Sequence, residues 1–259
     1  MSIQIHAYGV LLALAFIAGI GMGIVQGRQL GYTTDRVLDL SAWFLISAMV
    51  GARGLYIFLY PQQFPTFVSW LAITQGGLVF FGGFLATSLT MIVYGRYNGL
   101  RLRDLGDMIA PCLIIGHAIG RIGCFTNGCC YGSPTALPWG VVFGRSGDIL
   151  SRHPTQLYEA VFLIFLFVLS LAAFRNRIRR GFIFPGGVWG GYTLLYSMFR
   201  FGIEYLRDDD RGGFFTPAAF SVSQCIGLGG VAASLLWLEL CRRMNENERE
   251  GGVENAQTS

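Results

Sequence analysis

The residues able to do chemistry in this chain are arginines and carboxylates lodged in apolar sequence. Tyr196, Arg200, Glu204 and Arg207 follow one another at spacings of four, four and three, which predicts that all four share one helical face. Glu204 can pair with Arg200 at i, i+4 but cannot also satisfy Arg207, so a surplus positive charge is left for an anion. Arg53 lies in Gly51-Ala52-Arg53-Gly54-Leu55-Tyr56, between glycines that would admit another backbone or a lipid headgroup, and Asp107 stands early in a further apolar block. An ionisable side chain near a bilayer centre costs roughly 2.5 to 3.5 kcal/mol, so each of these needs a partner or a task. The competing reading is an inert salt-bridge ladder that locks helices together.

Two further segments carry polar groups suited to an anionic substrate. The glycine-rich run from Gly116 through His117, Gly120, Arg121, Gly123, Cys124, Asn127, Gly128, Cys129 and Cys130 to Gly132 predicts a tightly turned backbone exposing amides beside Arg121. Amide donors next to an Arg fork suit a phosphate. The second is Arg152-His153-Pro154-Thr155-Gln156-Leu157-Tyr158-Glu159. Pro154 fits a helix start, and Gln156 and Glu159 fall on one side of that helix at i, i+3. His153 is a candidate to move a proton, against the ordinary reading of a satisfied structural histidine.

The six cysteines form no C-x-x-C pair, which argues against a zinc ribbon. Cys124, Cys129 and Cys130 lie close in sequence on the face expected to be external, where a disulfide from Cys124 to one of the other two is feasible. Small buried thiols packing a glycine-rich turn are the alternative.

The elements that position these groups follow from composition. Of 259 residues 53% are hydrophobic and 13% charged, against about 25% charged in a soluble domain. The apolar residues come in blocks of roughly 20, the length a helix needs to cross hydrocarbon. Seven are read: His6 to Val25, Leu40 to Tyr60, Gly77 to Tyr94, Leu105 to Gly120, Gln156 to Phe174, Gly187 to Leu206 and Pro217 to Cys241. Runs this long exclude barrel strands, which are about 10 residues and alternate. The fold class is therefore all-α, a single polytopic membrane domain over residues 1–259, with about seven transmembrane helices and a polar, frayed tail from about Asn245 to Ser259. Glycine, at 36 residues, with repeats such as Gly19, Gly21, Gly23 and Gly227, Gly229, Gly230, would let helices approach closely.

All basic side chains are arginines and the net charge is +4. They sit in short loops with no interleaved aromatic stripe, so nucleic acid is not an expected partner. Arg28 and Arg36, then Arg96, Arg101 and Arg103, then Arg175, Arg177, Arg179 and Arg180, and finally Arg242 and Arg243 mark alternate loops as cytoplasmic. That places the N-terminus outside and the C-terminus in the cytoplasm. The loops from about Pro61 to Gln75, Arg121 to Thr155 and Arg207 to Thr216 are then external, the last offsetting Arg207 and Arg211 with Asp208, Asp209 and Asp210. The first block lacks a basic flank before it, so no cleavable signal peptide is expected.

At these residues the chain resembles the bacterial prolipoprotein diacylglyceryl transferase family, in order from Ile5 to about Gly230. The matching pieces are His6-Ala7-Tyr8-Gly9, the Arg53 segment, Gly76-Gly77-Leu78-Val79-Phe80-Phe81-Gly82-Gly83, Asp107-Met108-Ile109-Ala110-Pro111 and Gly120-Arg121-Ile122-Gly123. The run Arg152 to Glu159, Tyr196 with Arg200 and Glu204, and Ser221-Val222-Ser223-Gln224 complete them.

The resemblance implies seven spans, an external N-terminus and residence in the bacterial inner membrane. It implies transfer of the diacylglyceryl group of phosphatidylglycerol to the lipobox cysteine of preprolipoproteins, the first step of lipoprotein maturation, with a thioether formed and glycerol phosphate released. No metal or organic cofactor is expected, and the partners are these two substrates and membrane lipids. Arg121 and Arg200 would stabilise the departing phosphate, Glu204 would orient Arg200, and Tyr8 and Tyr196 match family tyrosines at the site. Arg53, Asn127, Gly132, Gln156, Glu159 and Arg207 are expected to bind substrate.

Three positions depart from the family pattern: Phe81 stands where many members carry His, Cys124 where Asn is frequent, and Cys129 where an acidic residue is frequent. Phenylalanine takes no proton, so the arginine field, helped by His153, would assist ionisation of the acceptor thiol, with His117 the other candidate. A homologue acting on another acceptor, or a transporter, are the alternative functions.

Overall fold

The structure, a computed structural model, describes residues 7–63, 70, 77–143, 149–207 and 220–257. His6, Gly76, Asp208 to Asp210, Arg211 and Pro217 lie outside the described residues, as does most of the expected external loop up to Gln75. Seven α-helices are present among the described residues: α1 (Ala7–Gln29), α2 (Thr34–Leu59), α3 (Phe80–Tyr97), α4 (Leu102–Asn127), α5 (Thr155–Arg180), α6 (Gly187–Ile203) and α7 (Val222–Gln257). A two-residue antiparallel ladder, Val141–Val142 with Ser151–Arg152, is the sole named sheet among them. Five helices, α1, α2, α4, α5 and α7, are long and apolar enough to cross a membrane; α3 and α6 have 18 and 17 residues. The chain divides into two compact units, Ile24–Leu105 and Met1–Gly23 with Gly106–Ser259.

In the Ile24–Leu105 unit, α2 and α3 pack through missing side chains. A Cβ on Gly51 would strike the carbonyl of Gly82 and the methyl of Ala86, and one on Gly82 would strike the Gly51 carbonyl. Backbones this close gain dispersion and weak Cα–H···O contacts where lipid offers no hydrophobic drive between helices. Arg53 is buried here and clamps the segment entering α3. Its Nε donates to the Trp70 carbonyl at 3.0 Å and its Nη1 to the Gly77 carbonyl at 3.1 Å, while the Val79 amide bonds the Ala52 carbonyl at 3.0 Å. Gly77 has φ +83°, a conformation open to glycine.

The other unit is built on α4, α5 and α6, with Ile114, Ala118, Leu163 and Leu166 fully buried and Phe162, Phe167, Tyr192 and Tyr196 against them. The buried Asp107 has a structural task. Its Oδ2 and Oδ1 accept the amides of Gly186 and Trp189, each at 2.8 Å, and Arg177 Nη1 lies 3.0 Å from Oδ2. A carboxylate from α4 thus caps the start of α6, where Gly186 itself has no side chain to do so, and also opposes the helix dipole. The Trp237 indole donates to the Gly186 carbonyl at 2.9 Å, and Ser234 donates to Thr193 at 2.9 Å, fastening α7 to α6. Gly227 and Gly230 of α7 rest on Ser197 of α6, as expected of that repeat; Gly21 and Gly229 face nothing.

Three expectations are corrected. α4 does not stop near Gly120 but continues to Asn127, so the amides around Arg121 are spent on helical carbonyls and are not exposed for a phosphate. The stripe from Tyr196 does not reach Arg207. α6 ends at Ile203, Glu204–Leu206 tightens to a 3-10 turn, and Arg207 is extended, bridged to Gly132. The segment beyond Asn245 is not frayed but remains helical to Gln257. Glu239 pairs with Arg242 and Arg243 at 3.0 and 2.6 Å, and Arg242 with Glu246 at 3.2 Å, a ladder that supports the helix where apolar packing stops.

Asp107→Ala removes both the cap and the partner of Arg177. Loss of one member of a buried pair costs on the order of 3 to 5 kcal/mol, so the variant is expected to melt at a clearly lower temperature in detergent, read by thermal circular dichroism.

Candidate active site

Helix periodicity brings three polar pairs together above the apolar layer of α4, α5 and α6. On α4, His117 and Arg121 are four apart; on α5, Gln156 and Glu159 are three apart; on α6, Tyr196 and Arg200 are four apart. Glu159, 0% exposed, is the junction. Tyr196 donates its hydroxyl to Oε1 at 2.8 Å, His117 Nε2 lies 3.4 Å from the same oxygen, and Arg121 Nε lies 3.0 Å from Oε2. Tyr196 and Arg121 stabilise a charge that would otherwise be expensive to bury.

Arg121 is held from one side. Its Nε–H donates to His117 Nε2 at 3.2 Å and faces Glu159, whereas its terminal Nη groups make no hydrogen bond to a described residue. The side chain keeps 15% exposure. The guanidinium is thus oriented through Nε by a buried carboxylate. The ring of His117 meets Tyr196 edge-on at 5.3 Å, which fixes the imidazole as well.

A second constellation joins the end of α6 to the start of α7. Arg200 Nη1 donates to Glu204 Oε2 at 2.6 Å and Nη2 to Ser223 Oγ at 3.2 Å, and Ser221 donates to Glu204 Oε1 at 2.9 Å. Ser221 and Gln224 bond each other's amides at 3.2 and 2.9 Å, a capping box that starts α7. The expected pairing of Glu204 with Arg200 is present, with two serines added.

The turn after α4 is laced to the remaining site residues. Gln156 Nε2 donates to the Cys129 carbonyl at 2.6 Å and Thr155 to the Cys130 carbonyl at 2.9 Å. The Gly132 amide bonds the His153 carbonyl at 2.8 Å, the His153 amide bonds the Ser133 carbonyl at 3.0 Å, and Ser133 bonds the Leu206 carbonyl at 2.9 Å. Gly132 must be glycine, since a Cβ would collide with the Leu206 carbonyl and with Thr155 and His153. This lacing gathers Gly132, His153 and Arg207 in one place. His153 Nδ1 sits 3.2 Å from the Tyr158 hydroxyl, which also accepts from the Trp139 indole at 2.8 Å. Tyr8 lies against Gly123 on α4, and Asn127 Nδ2 points to Cys129 Sγ at 3.8 Å.

Among the expected residues, Arg121, Glu159 and Tyr196 meet directly, with Gln156 one turn away. Arg53 belongs to the Ile24–Leu105 unit, where its contacts are the carbonyl clamp already described. Sequence reasoning gave Ser221 and Ser223 no role and did not place His117 in the same cluster as Glu159. The H-x-x-x-R and S-x-x-Q spacings were the available signals.

A family model described as Prolipoprotein diacylglyceryl transferase matches residues 1–239. A phosphatidylglycerol--prolipoprotein diacylglyceryl transferase of Nitratidesulfovibrio vulgaris (strain DP4) is 36% identical over 214 residues, 80% of this chain and 79% of that protein. Proteins of the same name from Finegoldia magna and Nostoc sp. are 32% identical over 90% of this chain and 31% over 93%, covering 90% and 88% of their own lengths. With five apolar helices of spanning length and a match along nearly its whole length, the chain is a multi-pass membrane protein that belongs to the prolipoprotein diacylglyceryl transferase family.

Proposed function

We propose that this chain transfers the diacylglyceryl group of phosphatidylglycerol to the lipobox cysteine of preprolipoproteins. The observation that carries this reading is Arg121, anchored through Nε by Glu159 and His117, with no hydrogen bond from its terminal nitrogens to a described residue. An oriented guanidinium at a half-apolar site is the group that best stabilises charge growing on a departing phosphate. The acceptor sulfur attacks the glyceryl carbon, the C–O bond to phosphate breaks, and the electron pair leaves on glycerol phosphate. Arg121 meets that charge, and Arg200, steadied by Glu204 and Ser223, adds a second positive group. Tyr196 and Glu159 hold Arg121 and act as positioning residues. Gln156, Asn127, Gly132, Arg207 and Tyr8 shape the pocket around the headgroup, and His153 assists proton removal from the acceptor.

The same reading places seven spans in the bacterial inner membrane, α3 and α6 among them, with the N-terminus outside and the C-terminus cytoplasmic. The arginines in the last turn of α5, and Arg242 and Arg243 within α7, support that orientation. Reporter fusions check it: an alkaline phosphatase fused after Gln257 is expected to be inactive and a fluorescent protein bright, and the opposite pattern would reverse the topology.

Purified protein with phosphatidylglycerol and a lipobox peptide is expected to add a diacylglyceryl mass to the peptide cysteine. Arg121→Ala should lower kcat by about a hundred- to a thousand-fold, as loss of one preorganised donor to a developing oxyanion does, while the helical spectrum stays unchanged. An active Arg121→Ala enzyme would sink the phosphate assignment. His117→Ala is expected to impair transfer by loosening Arg121, and His153→Ala by slowing proton removal; wild-type rates in the latter would discard its role.

A further inference from the structure

The cluster left unused by this mechanism is sulfur. Sγ atoms of Cys124, Cys129 and Cys130 all lie within 4.8 Å of one another, half-buried, with no disulfide joining them among the described residues. The chain goes to some length to assemble them. Gly128 and Cys130 both have φ +66°, and Cys130 is the one non-glycine residue with positive φ among the described residues. A non-glycine side chain in the left-handed region costs about 1 kcal/mol or more. That double reversal folds Cys129 and Cys130 back onto the last turn of α4, where the Cys129 amide bonds the Cys124 carbonyl at 3.2 Å. Thr155 and Gln156 then hold the carbonyls of Cys130 and Cys129 from α5. Asn127 Nδ2 approaches Cys129 Sγ at 3.8 Å, the kind of N–H···S contact that supports a metal-bound sulfur from outside its ligand set.

From this geometry we infer that Cys124, Cys129 and Cys130 bind one thiophilic divalent ion of the zinc class through three sulfurs, and that the remaining position takes the acceptor thiol. Zinc–sulfur bonds of about 2.3 Å in a tetrahedron set sulfurs about 3.8 Å apart, within reach of small side-chain rotations from the present spacing. Three thiolates on a divalent ion carry a net charge of −1, and Arg121, three residues before Cys124, supplies a compensating positive group nearby. Three protein ligands leave an open position, the arrangement of a reactive rather than a closed zinc centre.

The role deepens the proposed transfer and rests on it. An acceptor thiol entering the fourth position releases its proton to water, with His153 assisting, as the metal–sulfur bond forms. The bound thiolate then donates a lone pair to the glyceryl carbon, the carbon–oxygen pair departs with the phosphate, and the thioether leaves the ion. The site thereby supplies the ionised nucleophile, and it departs from the expectation that no metal is needed.

The test uses the full chain, reduced and stripped of metal in detergent, titrated with Co2+ as a spectroscopic probe. Binding of one ion per chain is expected, with sulfur-to-cobalt charge transfer and tetrahedral d–d bands that Zn2+ displaces. Cys129→Ser and Cys130→Ser, singly and together, should abolish the charge-transfer band while the helical spectrum persists. Adding a lipobox cysteine peptide should shift the d–d bands, and its serine counterpart should not. Absence of the bands, bands indifferent to the serine substitutions, or no response to the cysteine peptide would each overturn the inference. A chain that binds ion and peptide yet transfers no lipid would refute the transferase reading alone, and full transfer by the double-serine variant would refute the metal site alone.

Discussion

One buried carboxylate organises this site. Glu159 lies fully inside the helical unit, and a charge there is tolerable because α4 and α6 each deliver a partner to it: Arg121 from one, Tyr196 from the other. The electrostatic attraction that settles Glu159 also settles the orientation of Arg121. Because the guanidinium is gripped through Nε, its terminal nitrogens make no hydrogen bond to a described residue. An arginine anchored in this way reorganises little when negative charge develops beside it, which is the condition under which such a group accelerates a reaction.

Asp107 does for the framework what Glu159 does for the chemistry. It too is a fully buried carboxylate, but its oxygens are consumed by two amides at the start of α6 and by Arg177. The contrast separates two fates of intramembrane charge in one chain. Where all neighbours are themselves internal groups the result is a fastener. Where one neighbour has terminal donors with no hydrogen bond to a described residue, the result is a candidate binding site.

Much of this was legible in the sequence because helix periodicity is strict and charge in apolar surroundings is conspicuous. The blocks, the Arg200–Glu204 pair and the shared face of Gln156 and Glu159 follow from spacing alone. The meeting of Glu159 with Arg121 and Tyr196 does not, since it depends on the rotation of three helices about their axes, which side-chain packing across the interface decides. Gly116 to Gly132 misled for a related reason. Its glycines read as a turn, yet Gly116 and Gly123 are where Ala15 and Tyr8 come close to α4, so small residues served packing within a helix that continues to Asn127. Arg207 misled because spacing carries no information past a helix end, and the change to a 3-10 turn at Glu204 ended the register.

The length of α7 has a mechanical corollary. Its 36 residues span about 54 Å at helical rise, against about 30 Å of hydrocarbon. Some four turns must therefore stand clear of the acyl chains as a charged post stiffened by the Glu239, Arg242, Arg243 and Glu246 pairs. Anything attached to its far end is held at a fixed stand-off from the lipid surface rather than on a slack tether.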